Sequence, residues 1–190
     1  KVLWVGSAGL AEQLVAVKGW GKKDAEPKEK MNCCTVVVAA GSVSETTRKQ
    51  VLQYVADVKA VNLILDPVAA IQEPASEGRR LSALAEPLLK EQNVVLSCSN
   101  ENSMIELAAA TGAKAGFNAG EVGKRIAEAI GIAATELVKK GADGLFLTGG
   151  ETAISCCLEL GATGLEICQE VVPGIPLCRL LGGSFQGLPI

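Results

Sequence analysis

The chain has 190 residues, 48% of them hydrophobic and 21% charged, and a formal net charge of −3. It is long enough to sustain its own core, and an acidic chain with no basic stripe argues against nucleic acid as a partner. No apolar run reaches the ~18 residues of a membrane span, and the absence of histidine removes Ser-His and Cys-His nucleophile systems and argues against a zinc site.

In chain order, Val2–Val5 reads as a short buried strand, Gly6-Ser7-Ala8-Gly9 as a turn and Leu10–Val17 as a helix. A polar, Gly- and Pro-punctuated loop covers Gly19–Asn32. Thr35–Ala40 is a continuous β-branched strand that ends at Gly41-Ser42-Val43-Ser44, and Glu45–Val58 carries Val51, Leu52, Val55 and Val58 at helical spacing. Val61–Leu65 is a strand closed by Asp66-Pro67. Ser76–Gln92 reads as a helix that Pro87 must kink or break. Asn93–Ser97 is the next strand, followed by helices over Asn102–Thr111 and Ala119–Lys140, the latter with apolar residues every three or four positions. Gly144–Leu147 is another strand, and Glu151–Leu160 a helix that Gly161 caps. Leu165–Val171 and Ile175–Leu181 follow each other through Pro173-Gly174 with no helix between, which predicts an antiparallel pair.

Strands alternating with helices predict an α/β fold, a three-layer αβα sandwich with a mostly parallel sheet and antiparallel late strands. Residues 1–190 read as one domain. Aromatic residues make up 3% of the chain, so the core must be built from Val, Leu, Ile and Ala, which suits a covered parallel sheet. The seven cysteines include no C-x-x-C pair and sit mostly in apolar segments. They read as reduced structural thiols of a cytoplasmic protein.

Three strand-to-helix turns share one composition. Gly6-Ser7-Ala8-Gly9, Gly41-Ser42-Val43-Ser44 and Thr148-Gly149-Gly150-Glu151-Thr152 each place small residues and hydroxyls where a strand ends and a helix starts. A helix N-terminus offers unpaired N–H groups and partial positive charge, and glycine lets an anion approach the backbone. The three turns are therefore expected on one edge of the sheet, gripping a polyphosphate. A valine at Gly149 is expected to block that binding and leave the fold intact.

Glu151 has two readings: a carboxylate favoured by the helix dipole, or an outer partner of Mg²⁺. Asp66 is either a turn residue or a group that reaches metal or nucleotide. No Walker A sequence occurs. "GEVGKR", Gly120–Arg125, lies in the long helix and lacks the Ser/Thr after Lys, so it reads as a helix start.

The segments "LWVGSAGLA", "VVVAAGSVSETTRKQV", "LFLTGGETA" and "LEICQEVVPGIPLCRLLGG" resemble the four-carbon acid sugar kinases, which include threonate, erythronate and 3-oxo-tetronate kinases. The resemblance runs in order from Val2 to Ile190. Members have an N-terminal half that binds the sugar acid and a C-terminal half that binds ATP, and this chain looks like the C-terminal half alone. The resemblance implies that Ser42 or Ser44, together with Gly149, Gly150, Glu151 and Thr152, contacts ATP carried with Mg²⁺, and that Gly6, Ser7 and Gly9 lie nearby. It implies transfer of the ATP γ-phosphate to a hydroxyl of a four-carbon sugar acid held by the other half. No residue of this chain is assigned as catalytic base or protein-held metal ligand. The family continues into a Lys-x-Gly-Gly-Phe-Gly-type segment, and the sequence stops at Ile190, short of it. The competing reading is a non-catalytic module that binds a sugar phosphate or nucleotide for regulation, and homo-oligomer formation stays open.

Overall fold

The computed structural model describes residues 3–20, 35–99 and 101–190. Val2, Cys33, Cys34 and the greater part of the loop expected over Gly19–Asn32 lie outside the described residues. Residues 1–30 and residues 31–190 form separate compact units.

In the first unit, helix α1 spans Ala8–Lys18 and closes on Gly19, whose left-handed φ of 64° lets its N–H reach Ala16 and Val15 carbonyls. The expected strand at Val2–Val5 is a correction. Leu3, Trp4 and Val5 adopt no strand, and Leu3 and Val5 are 88% and 84% exposed. An apolar run becomes a strand only when another strand accepts its backbone hydrogen bonds, and the described residues of this unit contain none.

The second unit is built on four parallel strands, β1 (Val36–Ala40), β2 (Val61–Leu65), β3 (Val94–Cys98) and β4 (Gly144–Thr148), in the order β2-β3-β1-β4. The pleat sends alternate residues to opposite faces. Val37, Ala39, Val94 and Leu96 join one core cluster, and Val38, Ala40 and Val95 join another. Helix α2 (Glu45–Val58) follows β1 and supplies Val51, Tyr54 and Val55 to the second cluster. The first cluster takes residues of α3 (Pro67–Gln72), α4 (Pro74–Ala85), α6 (Ala119–Lys139) and α7 (Gly150–Glu159). With helices on both faces, the unit has the three layers the alternation predicts. The β1-to-β2 crossover moves in one direction on one face, and the later crossovers move back on the other. All of them therefore share one hand, as the right-handed rule requires.

Helix α6 organises the crowded face. Its Ala129, Ile130, Ala133, Ala134 and Leu137 are fully buried. Close approach of backbones sets two glycines: a Cβ at Gly78 of α4 would lie 2.7 Å from the Ala129 carbonyl oxygen, and one at Gly131 of α6 would lie 2.6 Å from Ser155 Oγ of α7. Asn118 and Glu121 start α6 with a reciprocal capping box, so "GEVGKR" is a helix start as expected. Arg125 donates to the Ile71 and Gln72 carbonyls at the end of α3 and lies over the Phe117 ring.

The helix expected over Ser76–Gln92 divides differently. It starts two residues earlier, stops at Ala85, and passes into a 3₁₀ turn at Glu86–Leu88 that contains Pro87. Helix α5 (Asn102–Lys114) links β3 to α6. After α7, β5 (Gly164–Val172) and β6 (Ile175–Leu181) pair antiparallel, from Gly164 opposite Leu181 to Val172 opposite Ile175, in a sheet of their own. Pro189 and Ile190 tie this ribbon to the main sheet, since Leu145 N–H donates to the Pro189 carbonyl and Ile190 exchanges both backbone bonds with Cys178.

Candidate functional site: two corners on one rim

The register fixes where the turns lie. Ala40 is the residue opposite both Ser97 and Thr148, so the chain leaves β1 and β4 at the same height on adjacent parallel strands. Gly41-Ser42-Val43-Ser44 and Gly149-Gly150-Glu151-Thr152 therefore stand side by side on the carboxyl rim. In open α/β sheets that rim is where ligands bind. The two turns touch: Thr152 is 3% exposed, and a Cβ at Gly41 would lie 2.0 Å from its hydroxyl oxygen. A Cβ at Gly149 would lie 3.6 Å from the same oxygen and 3.9 Å from the Ser42 backbone nitrogen.

The two glycines of the β4 corner have different reasons. Gly149 has φ of +98°, a conformation that a residue with a Cβ adopts only under strain. The expectation that valine at 149 spares the fold is therefore corrected. Gly150 is the first residue of α7, with no positive φ and nothing within 4 Å of an added Cβ. Among the described residues neither packing nor conformation asks for glycine there. Glu151 is exposed in the first turn of α7, where the dipole favours its charge.

On the β1 corner, Ser44 is the N-cap of α2, and its Oγ accepts from Thr47 N–H at 3.1 Å and lies 2.9 Å from Thr47 Oγ1. Ser42 Oγ accepts from Ser44 N–H at 3.2 Å. Cys98 Sγ donates to the Gly41 carbonyl at 3.5 Å, and burial pushes that thiol up to about 12, so it stays a neutral donor behind the corner. Cys156, on the buried side of α7, is likewise raised to about 12 by burial. The five described cysteines are all free.

Gly6, Ser7 and Gly9 lie in the first unit. Ser7 is the N-cap of α1 without a side-chain cap bond, and a Cβ at Gly6 would lie 2.5 Å from Leu10 Cδ2, a packing reason for that glycine. Two of the three expected turns are thus brought together on one rim within the second unit. Asp66 caps α3, accepting from Val68 and Ala69 N–H at 2.9 and 3.1 Å, which is its turn reading. Among the described residues no group of three or more Cys, Asp or Glu side chains could hold a metal ion, and no helix is long and apolar enough to cross a membrane.

A parallel sheet with two amide-bearing corners in contact on its carboxyl rim defines an α/β domain of the class that receives ligands at helix N-termini. Residues 37–190 match the family described as the nucleotide-binding C-terminal domain, and the chain belongs to it, as the C-terminal domain of the four-carbon acid sugar kinases. It is 31% identical to the D-threonate kinase of Salmonella typhimurium over 99% of this chain and 43% of that protein. It is 29% identical to the 3-oxo-tetronate kinase of Methylobacterium radiotolerans over 94% of this chain and 41% of that one. The chain thus spans less than half the length of these relatives. A solved Bordetella bronchiseptica structure, described as a domain of unknown function with bound citrate in a domain-swapped dimer, shares the fold. Its TM-score is 0.64 at 23% identity, covering 82% of this chain and 35% of that one.

Proposed function

We propose that this chain is the ATP-binding part of a kinase that passes the γ-phosphate of ATP to a hydroxyl of a four-carbon sugar acid. The observation that carries the reading is Gly150: a glycine without an internal reason, at the first turn of a helix, beside a second corner on the same rim. The backbone N–H groups of Gly149, Gly150 and Ser42 would hold phosphate oxygens, with the Thr152 hydroxyl keeping the corners in register. Ser42 is the serine of this reading, because the Ser44 hydroxyl is engaged in its cap.

Mg²⁺ would enter with ATP. Such ions are held by one or two carboxylates plus the substrate's phosphates rather than by an all-protein cage, and a single corner carboxylate, Glu151, fits that donor set. Phosphoryl transfer asks the protein chiefly for positioning and charge neutralisation. The four-carbon acid and the base for its hydroxyl belong, in this reading, to the sugar-acid half of the family's kinases.

The test is calorimetric titration of the chain with ATP and Mg²⁺ and with a panel of sugar phosphates. Saturable heat with ATP alone is expected. Gly150→Val, which places a side chain in open space and is no worse a helix former than glycine, should keep the melting temperature and weaken ATP at least about tenfold, roughly 1.4 kcal/mol. Heat from a sugar phosphate without heat from ATP would favour the regulatory reading. Undiminished ATP affinity in Gly150→Val would take the β4 corner out of the site.

A further inference from the structure

The β5–β6 ribbon carries two of the five described cysteines, Cys168 on β5 and Cys178 on β6, and an irregularity in its pairing brings them to one place. We infer that Cys168 and Cys178 are a reversible thiol-modification site, which a hydroperoxide converts to a disulfide across the ribbon. The site lies away from the corners on the rim and stands apart from the nucleotide reading.

Regular alternation would keep the two thiols apart. Ile167 is the residue paired with Cys178, and in an unbroken strand the next residue would point to the other face of the ribbon. The register shifts between Ile167 and Gln169, however, which makes Cys168 the extra residue of a β-bulge. A bulge sets two residues against one and re-aims a side chain, so Ile167 and Cys168 both oppose Cys178. The backbone of Cys178 leaves room for them. Its N–H and C=O are both bonded to Ile190, on the side away from β5. Toward β5 it therefore occupies a non-hydrogen-bonded position, where Cα atoms of opposed residues approach to about 4.5 Å and side chains lie closest. A disulfide spans Cα separations of roughly 4.4–6.8 Å. The two thiols also feel each other: burial, and after it nearby Cys168, pushes the Cys178 thiol up.

Burial divides the chemistry between them. Half-buried Cys168 is the thiol that an oxidant reaches, and Cys178, 5% exposed, is the thiol that resolves it. The Cys168 sulfur attacks the peroxide, the O–O bond breaks, and a sulfenic acid and one water result. The Cys178 sulfur then attacks the sulfenic sulfur. The S–S bond forms, the S–O bond breaks, and the departing hydroxide takes the Cys178 proton as a second water. Two thiols and one peroxide thus give one disulfide and two waters. Proximity offsets the small thiolate fraction of a buried thiol. A dithiol reductant restores the pair. Cys157 of α7 is the competitor, since burial, and after it Cys178, pushes its thiol up. It meets Cys178 from a helix, without the ladder that sets the spacing of Cys168.

The test oxidises the reduced 190-residue chain with hydrogen peroxide, blocks the remaining thiols with N-ethylmaleimide and digests with trypsin and a Glu-specific protease. Cleavage after Glu166, Glu170 and Arg179 separates the Cys168 peptide from the Cys178 peptide unless a disulfide joins them. The expected product has the mass of a single chain and yields the two peptides joined, about 2 Da lighter than their reduced sum and separable with dithiothreitol. Cys178→Ser should leave Cys168 as a sulfenic acid that dimedone traps at least about tenfold more than in the parent. Cys168→Ser should leave Cys178 reduced. Should Cys178→Ser not fold, the peptides of the parent decide alone. Recovery of the two peptides apart from the peroxide-treated parent would overturn the site. So would Cys178 joined to Cys157, or equal dimedone trapping in parent and Cys178→Ser.

Discussion

The two faces of the four-stranded sheet are built on opposite terms. One is covered by α4, α6 and α7, with helix backbones drawn together until Gly78 and Gly131 have no room for a Cβ. The other, among the described residues of the second unit, has α2 alone, whose contribution is Val51, Tyr54 and Val55, and leaves Ile64 and Phe146 53% and 46% exposed. The crowded face anchors α7 and, through it, the β4 corner. The open face leaves the rim accessible beside the β1 corner. A ligand that spans both corners would thus meet one wall that cannot move and one that is not filled.

That contrast is most easily broken from the crowded side. Gly78→Val would drive a branched side chain into the Ala129 carbonyl, an atom that no rotamer change can move aside. The expected loss is about 3 kcal/mol or more, at the top of the range for overpacked cores, read as a collapse of the urea midpoint. Phe146→Ser on the open face should stay within about 0.5 kcal/mol, as exposed substitutions do. Equal losses at the two sites would erase the distinction between the faces.

A smaller effect tests the contact between the corners. Gly41→Ala puts a methyl 2.0 Å from Thr152 Oγ1, which should cost about 1–3 kcal/mol. Thr152→Ala removes the obstructing hydroxyl, so the double variant should recover most of that loss. Additive losses in the cycle would mean that the corners do not touch.

Much of this architecture was legible from residue order, and the misses have physical causes. The strands at Val61–Leu65 and Gly144–Thr148 and the helix at Ala119–Lys139 follow from apolar runs and periodicity. Asp66-Pro67 was legible as an end and not as a beginning. Yet an Asp that accepts two N–H bonds, followed by Pro at the first helical position, is also how a helix starts, and α3 starts there. Val2–Val5 has the composition of a strand, but a strand also requires a neighbour, which composition does not carry. The two corners were readable because each is a local sequence. The cleft beside the β1 corner was not, because Arg48, Asn62 and Ser97, which line it, come from α2, β2 and β3. They meet only through the strand order β2-β3-β1-β4, in which β3 sits between two strands that precede it in the chain.

The smallest expected effects separate the two serines that the sequence left as alternatives. The Ser44 hydroxyl satisfies one of the unpaired N–H groups at the start of α2, so Ser44→Ala should cost about 1 kcal/mol of stability and move nucleotide affinity little. Ser42 accepts from Ser44 N–H on an exposed turn at 3.2 Å, a bond that water replaces readily. Among the described residues its hydroxyl donates to no partner, and its backbone faces the β4 corner. Ser42→Ala should therefore leave the melting temperature nearly unchanged and weaken ATP several-fold, which calorimetry and thermal melts on the same two variants resolve. If the pattern comes out reversed, with Ser44 governing affinity and Ser42 governing stability, the ligand enters along the axis of α2. It would not then lie across the turn between the corners, and the contrast between a fixed wall and an open one would no longer describe the site.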